Sequence, residues 1–128
     1  MKGKQKFFLC KQCGNLIALI DDKGAPMSCC GSEMAELAPN TVDASNEKHV
    51  PEVTVLGNTI SVQVGSVLHP MVDEHYIQFI YVATENGGQR KCLKPGDKPT
   101  AEFRFIDDKP VAVYEYCNLH GLWKTEVK

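Results

Sequence analysis

Cysteine and histidine are the residues of this 128-residue chain whose types and spacing could do chemistry, and they are unevenly placed. Four of the six cysteines, Cys10, Cys13, Cys29 and Cys30, fall in the first third, which holds no histidine. The four histidines, His49, His69, His75 and His120, come later, with Cys92 and Cys117. This separation implies two sites on two modules. Cys10-Lys-Gln-Cys13 is half of a tetrathiolate site. Its two-residue gap lets both thiolates reach one tetrahedral ion while the intervening amides hydrogen-bond the sulfurs. The other half, Cys29-Cys30, has no spacer, so sharing one metal requires distorted local angles. Such a site takes zinc or iron by ligand chemistry alone, and a zinc ribbon stands level with an iron centre on these grounds.

The second set is His49, His69, His75, Cys117 and His120. A lone histidine is more often a satisfied core or surface residue than a ligand, but here every histidine falls at the same predicted end of a β-structure. Five ligands exceed a tetrahedral structural zinc site. Four imidazoles and a thiolate suit a redox metal with an open position, and iron is the natural candidate. A thiolate opposite the open position pushes electron density onto whatever binds there.

The elements that must position these residues read as all-β. Residues 1–37 form a metal-stapled mini-domain with short apolar runs at 7–9 and 16–20, separated by turn signals. So small a piece cannot exclude enough water without a staple. Residues 38–48, polar and proline-containing over 38–46, read as a linker. Residues 49–128 carry seven strand runs, at 52–56, 59–64, 75–84, 89–94, 101–106, 111–117 and 122–127. Gly57-Asn58 is a two-residue hairpin signal, and Ala101, Phe103 and Phe105 alternate with Glu102 and Arg104. Seven short strands with turns between them predict an immunoglobulin-like sandwich, without the inter-sheet disulfide of antibody domains. If successive strands reverse direction, His49, His69, His75, Cys117 and His120 all collect at one end.

Composition excludes several classes. Hydrophobic residues make up 43% and charged residues 23%, so the chain reads as folded. A net charge of -2 gives no footprint for nucleic acid or an anionic membrane. The basic N-terminal run lacks the apolar core of a secretory signal, and no stretch reaches the roughly 18 apolar residues of a membrane span. The expectation is a cytoplasmic protein, where cysteines favour metal or redox roles over disulfides.

Cys-x-x-Cys followed by Cys-Cys resembles desulforedoxin, an iron–tetrathiolate protein, over the first 37 residues. Glu47-Lys48-His49-Val50-Pro51, His69-Pro70-Met71, Glu74-His75 and Cys117-Asn118-Leu119-His120-Gly121-Leu122-Trp123 resemble the catalytic domain of superoxide reductases, called neelaredoxins when it occurs alone. Together the chain resembles the two-iron desulfoferrodoxin family. That resemblance implies two Fe ions per chain, one in an Fe(Cys)4 site and one in an Fe(His)4(Cys) site. It implies that the four histidines lie equatorially, that Cys117 is axial and that superoxide binds at the sixth position. Glu47 is then expected to close that position in the ferric state, and Lys48 to lie beside it. The implied reaction is one-electron, two-proton reduction of superoxide to hydrogen peroxide, with an external donor such as rubredoxin, in a homodimer of anaerobic setting.

Other readings stand beside this one. Glu47 and Lys48 without context are a solvated charged pair, Trp123 is core packing, and Cys92 has no partner motif. Lys94–Pro99 is either a bare loop or part of a donor-docking surface. The competing functions are a two-iron electron carrier without catalytic chemistry, and a zinc ribbon joined to a binding module. A visible spectrum separates all three, because zinc is colourless and each ferric thiolate site absorbs.

Overall fold

The structure, a computed structural model, describes residues 5–127. The N-terminal basic run at residues 1–4 and Lys128 lie outside the described residues. The chain divides after Ala38 into two compact units.

The first unit contains β1 (Lys6–Leu9), β2 (Leu16–Leu19), β3 (Ser28–Cys29), β4 (Ser32–Glu33) and β5 (Ala35–Glu36). β1 is the central strand of an antiparallel sheet in the order β2-β1-β5, and β3 pairs with β4. The chain reverses between β1 and β2 at Gly14, where φ is 83°. There the Cys10 N–H donates to the Asn15 carbonyl at 2.8 Å, and the Gly14 N–H to the Cys10 carbonyl at 2.9 Å. Glycine takes this left-handed conformation without a Cβ penalty. Among the described residues Phe7, Cys10 and Met34 are this unit's buried apolar side chains, which is very little core for a unit running to Ala38.

The second unit is a sandwich of seven strands: β6 (Pro51–Leu56), β7 (Thr59–Val64), β8 (Ile77–Thr84), β9 (Gly88–Cys92), β10 (Thr100–Arg104), β11 (Pro110–Cys117) and β12 (Gly121–Glu126). One sheet runs β10-β7-β6 and the other β12-β11-β8-β9, with every pairing antiparallel. The expected all-β sandwich is present. Alternation decides which side chains point inward. Ile60, Val62 and Val64 of β7, Ala101 and Phe103 of β10, Ile77, Ile80 and Val82 of β8, and Val113 and Cys117 of β11 share one core. Each large apolar side chain fully buried there contributes about 1.5–3 kcal/mol. Side chains stitch both sheet edges: Thr125 Oγ1 donates to the Pro51 carbonyl at 2.7 Å, and Gln89 Nε2 to the Arg104 carbonyl at 2.8 Å.

The segment read as a linker is structured. Asn40 lies along β12, with Lys124 N–H donating to its Oδ1 at 2.8 Å, its Nδ2 donating to the Lys124 carbonyl at 3.1 Å and its N–H to the Leu122 carbonyl at 3.0 Å. Asn46–His49 forms a single helical turn, α1. One turn is too short to show a helical period, so no periodicity marks it. His75 falls before β8 and not on it, in a bridge with Val72.

Candidate metal centres

In the first unit the sulfurs of Cys10, Cys13, Cys29 and Cys30 lie within 4.8 Å of one another. Cys13 Sγ is 3.6 Å from Cys29 Sγ, which is 3.9 Å from Cys30 Sγ. Corners of a tetrahedron about 2.3 Å from a central ion are roughly 3.8 Å apart, so the spacing fits one ion. The angular distortion demanded by adjacent cysteines is visible in the backbone: Cys30 has φ 54° and is followed by Gly31 at 76°. Backbone N–H groups of Cys13 and Gln12 hold the Cys10 thiol down at about 6. Hydrogen bonding with Cys13, Cys10 and Cys29 pushes Cys30 up to about 12. Four crowded sulfurs do not all ionise unless a cation compensates them.

In the second unit one end of the sandwich gathers all five residues singled out there. α1 delivers His49, the loop after β7 delivers His69, and the bridge before β8 delivers His75. β11 ends on Cys117, and the turn into β12 holds His120. One ligand atom from each of His49, His69, His75 and Cys117 falls within a 4.8 Å group. His120 joins it, with Nδ1 3.1 Å from His49 Nε2 and 3.9 Å from Cys117 Sγ. Neighbouring rings run 49–69–75–120 with centroids 4.7, 4.5, 5.1 and, back to His49, 4.8 Å apart, all close to edge-on. His49 and His75 face each other across this circuit at 6.3 Å.

Hydrogen bonding sets which nitrogens point inward. His49 Nδ1 lies 2.7 Å from the Ser45 carbonyl and His69 Nδ1 2.7 Å from the Pro70 carbonyl. A carbonyl only accepts, so each Nδ1 carries the proton and each Nε2 presents a lone pair. Those two Nε2 atoms nevertheless approach to 3.2 Å. The buried His75 Nε2 has no hydrogen-bond partner. Lone pairs meeting in a dry site are repulsive until a cation lies between them. Their separation matches two nitrogens at right angles around an ion about 2.1 Å from each. Burial holds His69 down to about 4 and lowers His49 and His75, keeping them neutral as metal binding requires. Cys117 is fully buried, which pushes its thiol up, while the N–H groups of Leu119 and His120 pull it down. Metal charge would remove its proton outright.

Glu47 and Lys48 lie exposed on α1. The Lys48 charge is felt at His49 and His75. Glu47 stands outside the group of converging ligand atoms, with its carboxylate accepting from the Ser45 hydroxyl at 3.0 Å. Cys92 is exposed on β9 and is a member of neither group. Three positioning contacts escape sequence reasoning. Asn118 receives the Tyr76 N–H on Oδ1 at 2.9 Å and donates Nδ2 to the Glu74 carbonyl at 3.0 Å, bracketing His75. The loop carrying His69 packs on α1, with Val67 N–H donating to the Glu47 carbonyl at 2.9 Å. Gly65 makes that approach possible, since a Cβ there would lie 2.5 Å from the Glu47 carbonyl oxygen.

Fold and donor sets thus define a β-sheet metalloprotein with two non-haem centres. The desulfoferrodoxin family model matches residues 41–126. A desulfoferrodoxin of Syntrophotalea carbinolica is 44% identical, covering 98% of this chain and 99% of that protein. One from Nitratidesulfovibrio vulgaris is 42% identical over the same shares. The crystal structure of a superoxide reductase from Treponema pallidum, 36% identical, superposes with TM-score 0.80 over 96% of this chain and 99% of that one. A 1Fe superoxide reductase from Giardia intestinalis, 33% identical, gives TM-score 0.57 over 64% of this chain and 98% of its own. The chain belongs to the desulfoferrodoxin family, and its four-cysteine and four-histidine-one-cysteine groups fit two iron sites.

Proposed function

We propose that the protein is a superoxide reductase, converting superoxide, one electron and two protons into hydrogen peroxide, with its chemistry at the second centre. The observation that carries this is the convergence of imidazole nitrogens from His49, His69 and His75 with the buried Cys117 sulfur within 4.8 Å of one another, His75 Nε2 having no hydrogen-bond partner. Iron bound there supplies the single electron and a place for the anion. His49, His69, His75, His120 and Cys117 hold it. The Lys48 ammonium draws the anion inward against a net charge of -2 and shortens the path for protons from water. Glu47, exposed on the same helical turn as His49, is the carboxylate that covers the site when no substrate is present. Cys10, Cys13, Cys29 and Cys30 hold the other iron as a tetrathiolate.

In this reading residues 1–37 are the desulforedoxin-like module, 38–48 connect it, and 49–128 are the catalytic domain. Among the described residues no helix is long and apolar enough to cross a membrane; the six free thiols are compatible with a reducing, cytoplasmic setting, and the resemblance to desulfoferrodoxins supports an anaerobic one. A rubredoxin-type donor restores the ferrous state. A homodimer is supported by the first unit's thin core and by Ile20, 99% exposed.

Pulse radiolysis of the reduced protein tests the reading. Superoxide should be consumed with stoichiometric oxidation of the second centre and no release of oxygen. Oxygen release, or oxidation of the first centre alone, would replace it with a dismutase or a carrier.

A further inference from the structure

The chain's one tryptophan, Trp123, touches two members of the second centre at once. Its ring lies 5.0 Å from the His49 ring with the planes 28° apart. Its Nε1–H donates to the His120 backbone carbonyl at 3.1 Å. The residue is 1% exposed and pairs in register with the buried Glu115 on β11. His49 and His120 are themselves neighbours in the imidazole circuit, with ring centroids 4.8 Å apart.

Each contact supplies what the ligand lacks. The bond from His49 Nδ1 to Ser45 fixes the tautomer, but one hydrogen bond leaves an imidazole free to swing about it. A flat aromatic face removes that swing. His120 presents Nδ1, the ring nitrogen nearer its own backbone, so that atom's position follows the turn closely. The indole N–H pins that turn.

We propose that Trp123 is a positioning residue of the second centre: it holds His49 by its face and His120 by its N–H, setting one edge of the four-imidazole circuit before metal arrives. Core packing alone needs an apolar group of this volume and no donor. The inference rests on reading the five-residue group as an iron site.

The test uses the full-length, iron-loaded protein. Trp123→Phe keeps an aromatic face for His49 and deletes the donor, whereas Trp123→Leu deletes both. Iron loss from the second centre to a chelator is followed through its thiolate-to-iron band, with the tetrathiolate absorption of the same chain as internal reference. Band energy and midpoint potential are read alongside. Iron loss should be about tenfold faster in Trp123→Phe and faster still in Trp123→Leu, each with a displaced band. Variants that lower Tm yet keep wild-type band, potential and iron loss would reduce Trp123 to core packing. If Trp123→Leu does not fold, Trp123→Phe decides alone, because it retains a large aromatic side chain. A wild-type protein with no such band would instead overturn the iron reading, and the proposal with it.

Discussion

The chemistry rests on single atoms whose protons are held elsewhere. Cys117→Ser should erase the thiolate-to-iron band and abolish superoxide reduction while the tetrathiolate spectrum persists, because only the second centre loses a sulfur. Retained activity would remove Cys117 from the site. Lys48 and Glu47 should separate kinetically. Lys48→Ile should slow the encounter with superoxide by roughly tenfold, about 1.4 kcal/mol, and flatten its salt dependence. Glu47→Ala should leave that rate intact and change the ferric spectrum. Stopped-flow traces across ionic strengths decide it, and equal salt slopes for Lys48→Ile and wild type would return the pair to plain surface charge. The histidines add a pH dependence of known sign. Burial lowers His69 to about 4 from an ordinary 6.5, so the fold favours the neutral ring and the unfolded chain protonates first. The stability tied to that neutrality is complete above 6.5 and is lost as pH falls toward about 4. Bound metal competes with the protons and shifts the loss lower. Tm measured from pH 8 to 4 with and without metal should show both effects, and a flat profile without metal would contradict the burial argument.

At the scale of elements, the strands were legible because burial imposes alternation. Ala101, Phe103 and Phe105 against Glu102 and Arg104 marked β10, and the hairpin at Gly57-Asn58 set the β6–β7 register with Leu56 opposite Thr59. Strand parity then collected the five ligands at one end without any view of their contacts. What stayed hidden was what periodicity cannot carry. β3, β4 and β5 have two residues each, and α1 is one turn. Asn118 grips backbone groups 42 and 44 positions away, a contact that no local pattern records. Gly65 shows how such a contact becomes a prediction. In Gly65→Ala the new Cβ would meet the Glu47 carbonyl oxygen at 2.5 Å and the Val50 carbonyl oxygen at 3.0 Å. Both are backbone atoms, so α1 and the His69 loop must part. The expected cost is about 1–3 kcal/mol, with a Tm lower by roughly 5 °C or more. Faster loss of second-centre iron should accompany it, since His49 and His69 ride on the two separated segments. A variant as stable as wild type would show that the segments yield without strain.

The whole molecule joins two units whose donor sets share no residue, and that independence can be tested by removing one of them. The first unit buries few apolar side chains, so its metal must supply much of its folding free energy. The second unit has a continuous core and needs no such staple to hold its strands. The Giardia intestinalis relative, matched over 98% of its length, covers only 64% of this chain, which supports a catalytic unit able to stand alone. Cys13→Ser should therefore cost the tetrathiolate absorption and bring iron from two atoms per chain to one. It should leave the thiolate-to-iron band of the second centre in place and the rate of superoxide consumption unchanged. Calorimetry should register the loss in the first unit, as a missing or lowered transition, while the transition of the sandwich keeps its Tm. Iron analysis, the visible spectrum and pulse radiolysis on one preparation read these together. If the second-centre iron remains but superoxide is no longer consumed, the first centre is an obligatory relay. If both bands vanish at once, the two units fold as one and the division after Ala38 has no energetic meaning.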